Sequence, residues 1–248
     1  MKTDNDTILS VRNLTISFRA YGGTVRAVRG VSFDLRRGET LAVVGESGAG
    51  KSACMKAVMG ILPRNASIDG GSILYNGKDL AHLEESSFCL LRGKRLGLIF
   101  QDPLSALNPI MKIGKQITEV YRRREHLSRP EARKRALEMM DAVGIPDCGR
   151  RFDSYPFQIS GGMRQRIVIA IALANNPEIL ICDEPTTALD VTIQARILDL
   201  VNSLKKKLGL SVIFITHDLS VVAKMADRIH VMYAGKIVEK GTIDEIFF

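Results

Sequence analysis

The clearest chemistry in this sequence lies in a glycine-rich octapeptide that follows a short apolar run. It fits the pattern G-x-x-x-x-G-K-S and consists of Gly45, Glu46, Ser47, Gly48, Ala49, Gly50, Lys51 and Ser52. Glycines let backbone N–H groups curl around an anion, and a helix starting there adds positive potential. Lys51 can reach the outer phosphates of a nucleotide, and the Ser52 hydroxyl can bind Mg²⁺. The octapeptide therefore predicts a phosphate site, against the alternative of a chance glycine-rich turn.

A second set of reactive groups stands where apolar segments end. Residues 179–182 are followed by two acids, Asp183 and Glu184, and residues 212–215 are followed shortly by His217. Ligands collect at the carboxyl ends of parallel strands. We expect Asp183 to hold Mg²⁺, through water, Glu184 to polarise the attacking water, and His217 to contact the γ-phosphate. Solvated acids at a strand end and a structural histidine are the alternatives.

A second small-residue helix start occurs at Ser160, Gly161 and Gly162. Such a start suits another phosphate contact, although a helix that only needs tight packing would look the same. Two anion-binding helix starts in one chain suggest a site that two molecules share.

The remaining pattern supplies the elements that must position these groups. Loose alternation predicts antiparallel strands at 8–18 and 25–35, and short apolar runs predict buried parallel strands at 41–44, 96–100, 179–182 and 212–215. Helices are predicted at 51–61 and 163–174, and a third opens with the capping box Ser128-x-x-Glu131 and ends at Gly144. We predict a single domain, 1–248, with an α/β core of 1–100 and 175–248 and a helical subdomain of 101–174.

Composition narrows the class of protein. The 248 residues are 46% hydrophobic and 25% charged, with a net charge of +8. No apolar run reaches the roughly 18 residues that would span a bilayer, and the polar start, 1–6, predicts no secretory signal. The four scattered cysteines predict reduced thiols in the cytosol. The basic run at 122–124 is interpreted as a solvated helix face rather than a nucleic-acid patch, because no aromatics interleave with it.

These motifs together resemble the ATP-binding cassette (ABC) family over nearly the whole chain. Six motifs occur in this sequence in the family's order: the phosphate loop, Gln101, 160–162, 179–184, 188–190 (Ala-Leu-Asp) and His217. Residues 100–109 and 160–166 are similar to the branch of importers for oligopeptides, dipeptides and nickel. The resemblance implies a P-loop NTPase fold of the ABC-ATPase type: a parallel core sheet, an N-terminal antiparallel β subdomain and an inserted helical subdomain.

The resemblance also implies a function and its residues. ATP and Mg²⁺ would be bound in a head-to-tail dimer of cassettes, with Phe18, or else Tyr21, stacked on adenine. Gln101 would bind Mg²⁺ and sense the γ-phosphate, and Asp190 would lie at the dimer seam. Hydrolysis would drive import through two membrane permeases served by a solute-binding protein. The chain would be peripheral, at the cytoplasmic face of the inner membrane, with no nucleic-acid partner.

Several points depart from the family or stay open. Met163 replaces a glutamine that is usual in the wider family, so a side-chain contact to the ribose stays open. Members of this branch usually continue into a C-terminal tail, whereas this sequence runs to Phe248. Cassettes of DNA repair or translation are disfavoured by the absence of a long coiled coil or a second cassette, and a GTPase by the absence of N-K-x-D. The cargo and the identity of the partner cassette stay open. After Gln101, we expect Pro103, Leu104 and Leu107 to be exposed and to dock on a permease.

Overall fold

The computed structural model describes residues 6–187 and 189–247. These residues form two compact units, the first of 6–92 and 209–247, the second of 93–187 and 189–208. Residues 1–5, Ala188 and Phe248, each used in a sequence prediction, lie outside the described residues. Among the described residues, no helix has both the length and the apolar character needed to cross a membrane.

The described residues contain ten strands. They are β1 Thr7–Ala20, β2 Gly23–Arg36, β3 Thr40–Val44, β4 Ala66–Tyr75, β5 Lys78–Asp79, β6 Leu96–Ile99, β7 Ile179–Asp183, β8 Ser211–Thr216, β9 Arg228–Tyr233 and β10 Lys236–Thr242.

The α-helices of the same residues also number ten. They are α1 Lys51–Val58, α2 Glu85–Leu91, α3 Pro103–Ala106, α4 Ile113–Arg124, α5 Arg129–Ala142, α6 Cys148–Phe152, α7 Gly161–Leu173, α8 Val191–Leu208, α9 Leu219–Met225 and α10 Ile243–Phe247.

The first unit begins with an antiparallel sheet in the order β2-β1-β4-β5. The apolar residues of β1 alternate only loosely because the register shifts between Val11 and Leu14, where Asn13 has a φ of 48°. Strand β1 also runs two residues beyond the predicted end at Phe18, since Arg19 and Ala20 still pair with β2 although they are exposed. The predicted antiparallel strand pair is therefore present, with β1 longer than expected.

The same unit holds the parallel strands that precede the phosphate loop. Strand β3 runs parallel to β8 on one side and to β9 on the other, and β10 returns antiparallel to β9. Every residue of β3 and β8 is buried. A strand covered on both faces needs apolar side chains on both, which explains why 41–44 is a continuous apolar run.

Buried polar side chains of this unit lie at the start of β9. Arg228 Nη1 donates to Glu39 Oε1 at 3.0 Å, and the Glu39 side chain is 7% exposed. His230, 2% exposed, packs its ring edge-on against Phe33. Burial first, and then the positive charges of Arg228 and Lys240, lower the pKa of His230 from 6.5 to about 4. His230 is therefore neutral in the folded protein at pH 7.

The second unit combines two parallel strands, β6 and β7, with five helices between them in sequence, α3 to α7. Helix α5 begins with the predicted capping box, in which the Glu131 side chain accepts the Ser128 N–H at 3.1 Å. Gly144, at a φ of 72°, follows the helix as predicted. All five helices fall within the predicted helical subdomain, 101–174, whose bounds stay a prediction.

The bounds of two predicted helices were wrong. Helix α1 ends at Val58 rather than Ile61, because Gly60 takes a φ of 62° that a helix cannot continue. Helix α7 begins at Gly161 rather than Met163, because Ser160 serves as its N-cap, and it ends at Leu173, one residue before the predicted end.

Candidate functional site

Two glycines fix the backbone of the phosphate loop in the first unit. Gly45 follows β3 directly with a φ of 151°, and a Cβ there would lie 2.1 Å from the Met232 carbonyl oxygen. Gly50, at a φ of 98°, precedes α1, and its Cβ would lie 2.5 Å from the Ala27 carbonyl oxygen. Both obstacles are main-chain atoms, so no side chain fits at either position. The spacing of the motif thus follows from close backbone packing at both ends of the loop.

Lys51 crosses the inside of this loop. Its Nζ donates to the carbonyl oxygens of Gly45 at 2.6 Å and Glu46 at 2.9 Å, and the residue is 5% exposed. Lys51 is also the first residue of α1, whose N-terminal N–H groups add positive potential. The neighbouring Ser52 is half-buried. The loop therefore holds a cation and a helix start together, the arrangement that binds phosphate groups.

His217 lies at the same edge of the sheet as this loop. Strands β3 and β8 pair in parallel with Val44 opposite Thr216, so the residues that follow, Gly45 and His217, leave the sheet side by side. His217 is exposed, and Asp218 after it caps α9 by accepting the Ser220 N–H at 2.9 Å. The strand register thus brings a predicted γ-phosphate contact to the phosphate loop.

The second unit brings Gln101 and Glu184 together. Strands β6 and β7 pair with Ile99 opposite Cys182, which places the two side chains at one edge. Gln101 Nε2 donates to Glu184 Oε2 at 3.1 Å. Glu184 has a left-handed φ of 47°, a conformation that turns the chain sharply at the strand end. The sequence predicted a role for each residue but not the contact between them.

Thr187 is a further residue of this cluster, and the sequence reasoning missed it. Its Oγ1 donates to the same Glu184 oxygen, Oε2, at 3.0 Å. The available signal was a threonine three residues after the acid, within hydrogen-bonding reach across a turn. The carboxylate of Glu184 is thus oriented from two sides.

Asp183 is the last residue of β7 and is half-buried. The preceding Cys182 is fully buried, and burial together with the Asp183 charge raises the pKa of its thiol above the ordinary value. Cys182 is therefore uncharged, and Asp183 brings a carboxyl group to the end of an otherwise apolar strand.

The predicted glycine-containing helix start is built around Ser160. Ser160 Oγ accepts the Met163 N–H at 3.3 Å and the residue is exposed. A Cβ on Gly162 would lie 2.8 Å from Ile193 Cγ2, whereas one on Gly161 would meet Leu189 only at an ordinary 3.7 Å. Close packing therefore accounts for glycine at 162, and it does not account for glycine at 161.

Comparison with known proteins places these motifs in a family. A family model described as "ABC transporter" matches residues 28–187, a span that contains the phosphate loop, Gln101, Ser160 and Glu184. The chain belongs to the ABC transporter family. The predicted family resemblance is thereby confirmed.

Curated ABC relatives match almost the whole chain. The oligopeptide transport ATP-binding protein OppD of Bacillus subtilis is 57% identical over 97% of this chain and 68% of its own length. The dipeptide transport ATP-binding protein DppD of the same organism is 56% identical over 97% of this chain and 72% of its own.

Solved ABC structures confirm the predicted fold. The cassette MJ0796, in a dimeric post-hydrolysis state bound to ADP and Pi, superposes with a TM-score of 0.85 at 26% identity over 95% of this chain and 98% of that chain. The protein cbiO1 of Clostridium perfringens, described as part of the ABC transporter complex cbiONQ, superposes with a TM-score of 0.82 at 30% identity. The match covers 98% of this chain and 91% of that chain.

Three residues that the ABC resemblance suggested have clear local positions. Asp190 is exposed and accepts the Ile193 N–H at 3.0 Å, so it caps the start of α8. Phe18 is half-buried within β1, opposite Val25, while Tyr21 in the following turn is fully exposed. The dimer-seam role of Asp190 and the adenine contact of Phe18 stay predictions.

The expectation for the segment after Gln101 was partly wrong. Leu104 is 53% exposed, but Leu107 is 3% exposed and Pro103 is buried. Asp102 caps α3 by accepting the Leu104 N–H at 2.9 Å, a bond that lowers the pKa of its carboxyl. This short helix turns Pro103 and Leu107 inward and leaves Leu104 outside. A docking surface here can therefore use Leu104 but not its two neighbours.

Proposed function

We propose that this chain binds and hydrolyses ATP to power the import of peptides through an ABC transporter. The observation that carries the ATPase chemistry is the pairing of Gln101 with Glu184 at the end of β7. The observation that favours a peptide cargo is the set of relatives named for oligopeptide and dipeptide transport, at 56–57% identity. Nickel, the other cargo expected of this branch, has no support among these relatives.

Lys51, Glu184 and His217 each have a chemical task in this proposal. Lys51 neutralises the outer phosphates of ATP and exchanges the two carbonyl oxygens that it contacts for phosphate oxygens. Glu184 accepts a proton from the attacking water, while Gln101 and Thr187 hold its carboxylate in place. His217 donates a hydrogen bond to the γ-phosphate as charge develops on it.

Mg²⁺ fits the donor set of the chain. Ser52, Gln101 and Asp183 offer hydroxyl, amide and carboxyl oxygens, which are the ligands that Mg²⁺ prefers. Gln101 meets the Glu184 carboxylate with its Nε2, so its Oε1 is the amide atom left for a metal. Ser52, Gln101 and Asp183 are the residues that would hold Mg²⁺, and the ion would supply positive charge against the phosphates of ATP.

The partners follow from the transport proposal. A second cassette would contribute its Ser160 and Gly161 to the nucleotide of the first, in line with the dimeric cassette MJ0796. Two permeases would receive the exposed Leu104, which would place the chain peripherally on the membrane that holds them. A solute-binding protein would deliver the peptide to the permeases. The second cassette would be either a copy of this chain or a related cassette.

Reconstitution tests the cargo. The chain is assembled with two permeases and a partner cassette in liposomes, and a solute-binding protein is added on the side from which solute is taken up. Uptake of a labelled tripeptide and of ⁶³Ni²⁺ is then measured with ATP on the inside or on the outside of the vesicles. We expect ATP-dependent uptake of peptide that Glu184→Gln abolishes. Uptake of nickel but not of peptide would contradict the proposed peptide cargo, while the proposal of a transport ATPase would still stand.

A matched pair of leucines tests the docking surface. Leu104→Asp is expected to lose co-purification with the permeases and to keep the basal ATPase rate of the isolated chain. Leu90, 70% exposed on α2, provides the control substitution Leu90→Asp. Retained permease binding by the Leu104 variant, or equal loss in both variants, would exclude Leu104 as the docking residue.

A further inference from the structure

The second unit carries a strongly basic cleft outside the predicted nucleotide residues. Its volume is about 430 Å³, and its lining consists of Lys115, Thr118, Arg122, Arg129, Arg133 and Phe152. Lys115, Thr118 and Arg122 lie on one face of α4, and Arg129 and Arg133, four apart, lie on one face of α5. Two facing helices thus direct four cations into one cleft, which we call the basic cleft.

Phe152 forms an apolar wall of the basic cleft. It is 8% exposed and lies flush against α4 at Gly114, where a Cβ would come within 2.3 Å of the ring. The Arg133 guanidinium lies over the same ring, 4.0 Å from its centroid. Stacking on an aromatic face orients a guanidinium and leaves its N–H edges for a ligand. Arg133 is therefore preorganised.

Among the described residues, the cations of the cleft differ from their neighbours in having no carboxylate partner. On the same helical segment Arg123 pairs with Glu119, and Lys112 Nζ pairs with Asp153 Oδ1 at 3.1 Å. Within the part of the chain that the structure describes, none of the four cleft cations forms an ion pair. Like charges four residues apart on a helix destabilise it. An anion in the cleft would offset that repulsion.

We propose that the basic cleft is an anion site for a phosphate group. Arginine N–H forks match the oxygens of phosphate in bidentate pairs, and Lys115 adds a point charge. The Thr118 hydroxyl donates to the Lys115 carbonyl oxygen at 3.0 Å, so recognition rests on the four cations. The volume lies in the range of small-ligand pockets. The headgroup of an anionic phospholipid and a soluble phosphate share this chemistry.

The test removes two cleft cations and leaves Arg133, which packs on Phe152. Arg122→Gln/Arg129→Gln is compared with Lys206→Gln/Lys207→Gln, which removes the same charge from exposed positions of α8. Saturating ADP and Mg²⁺ occupy the phosphate loop throughout. Inorganic phosphate and pyrophosphate are titrated at constant ionic strength by NMR chemical shift. Sedimentation with phosphatidylglycerol vesicles and with phosphatidylcholine vesicles forms the lipid arm.

We expect the cleft variant to lose affinity for phosphate or for phosphatidylglycerol by about tenfold or more, and the control to stay within about twofold of wild type. Binding to the anionic vesicles alone identifies a headgroup as the ligand, and binding to the free anions alone identifies a soluble phosphate. Equal losses in both variants, or no binding of either probe, would overturn the site. The site would also be overturned if the protein bound a single-stranded oligonucleotide but bound neither the free anions nor the phosphatidylglycerol vesicles. ATP turnover does not enter the readout, so the outcome is independent of the peptide proposal.

Discussion

Replacement of Glu184 by glutamine tests the assignment of the catalytic base most directly. The substitution keeps an oxygen on the side chain, so it can still accept hydrogen bonds from Gln101 and Thr187, which now lie at 3.1 and 3.0 Å. Each of these hydrogen bonds stabilises the fold by about 1 kcal/mol, and the glutamine variant should keep most of that stabilisation. What is lost is the negative charge that takes a proton from water.

The expected effect on rate follows from that loss. A positioned general base contributes about 10²- to 10⁴-fold, so the barrier should rise by about 3 to 5 kcal/mol. Binding of ATP, measured by calorimetry, should stay within a few-fold of wild type, because Lys51 and the loop backbone are unchanged. Phosphate release in a coupled assay should fall to at most about 1% of the wild-type rate.

A second carboxylate of the same unit provides the control. Glu178 precedes β7 at the opposite end from Glu184 and pairs with Arg95. Glu178→Gln makes the same chemical change without touching the strand's carboxyl end. Half of the wild-type rate in the Glu184 variant would refute its role as the base. A comparable fall in the Glu178 variant would show that loss of any carboxylate at β7 impairs the fold.

Three further outcomes are expected. Lys51→Ala should weaken ATP binding about tenfold or more by calorimetry, because it removes a charge from the loop, and unchanged affinity would contradict this. ATPase activity per molecule should rise with protein concentration, and Ser160→Arg should abolish that rise while ATP still binds; a rate per molecule independent of concentration would indicate an active monomer. His230, whose folded pKa of about 4 lies below 6.5, favours folding above pH 6.5 and loses that contribution as pH falls toward 4. This loss is on the order of 3 kcal/mol of unfolding free energy. His230→Gln should therefore reduce the pH dependence of the unfolding free energy, measured in urea, between pH 6.5 and 5. The same pH dependence in the variant and the wild type would contradict this prediction.

Local patterns in the sequence predicted much of the fold. The apolar run 41–44 indicated a doubly covered strand, and the capping box at Ser128 indicated where α5 begins, because both depend on neighbours in the chain. The extent of β1 was underestimated, since exposed residues such as Arg19 pair through their backbone alone.

Contacts between distant residues were beyond such patterns. The bond between Gln101 and Glu184 depends on the register of β6 against β7, which no local pattern specifies. Thr187 joins them only because Glu184 turns the chain back at a positive φ. Leu107 was expected to be exposed and is buried, since an apolar residue in a loop can pack under a short helix such as α3.

The two kinds of obstacle that face glycines here have opposite genetic consequences. At Gly45 the obstacle is the Met232 carbonyl oxygen, a main-chain atom that every amino acid at 232 would carry. A suppressor screen started from Gly45→Ala should therefore return revertants to glycine and no second-site change at Met232. At Gly162 the obstacle is the Cγ2 methyl group of the Ile193 side chain, which alanine at position 193 would lack. The same screen started from Gly162→Ala should return Ile193→Ala among its survivors.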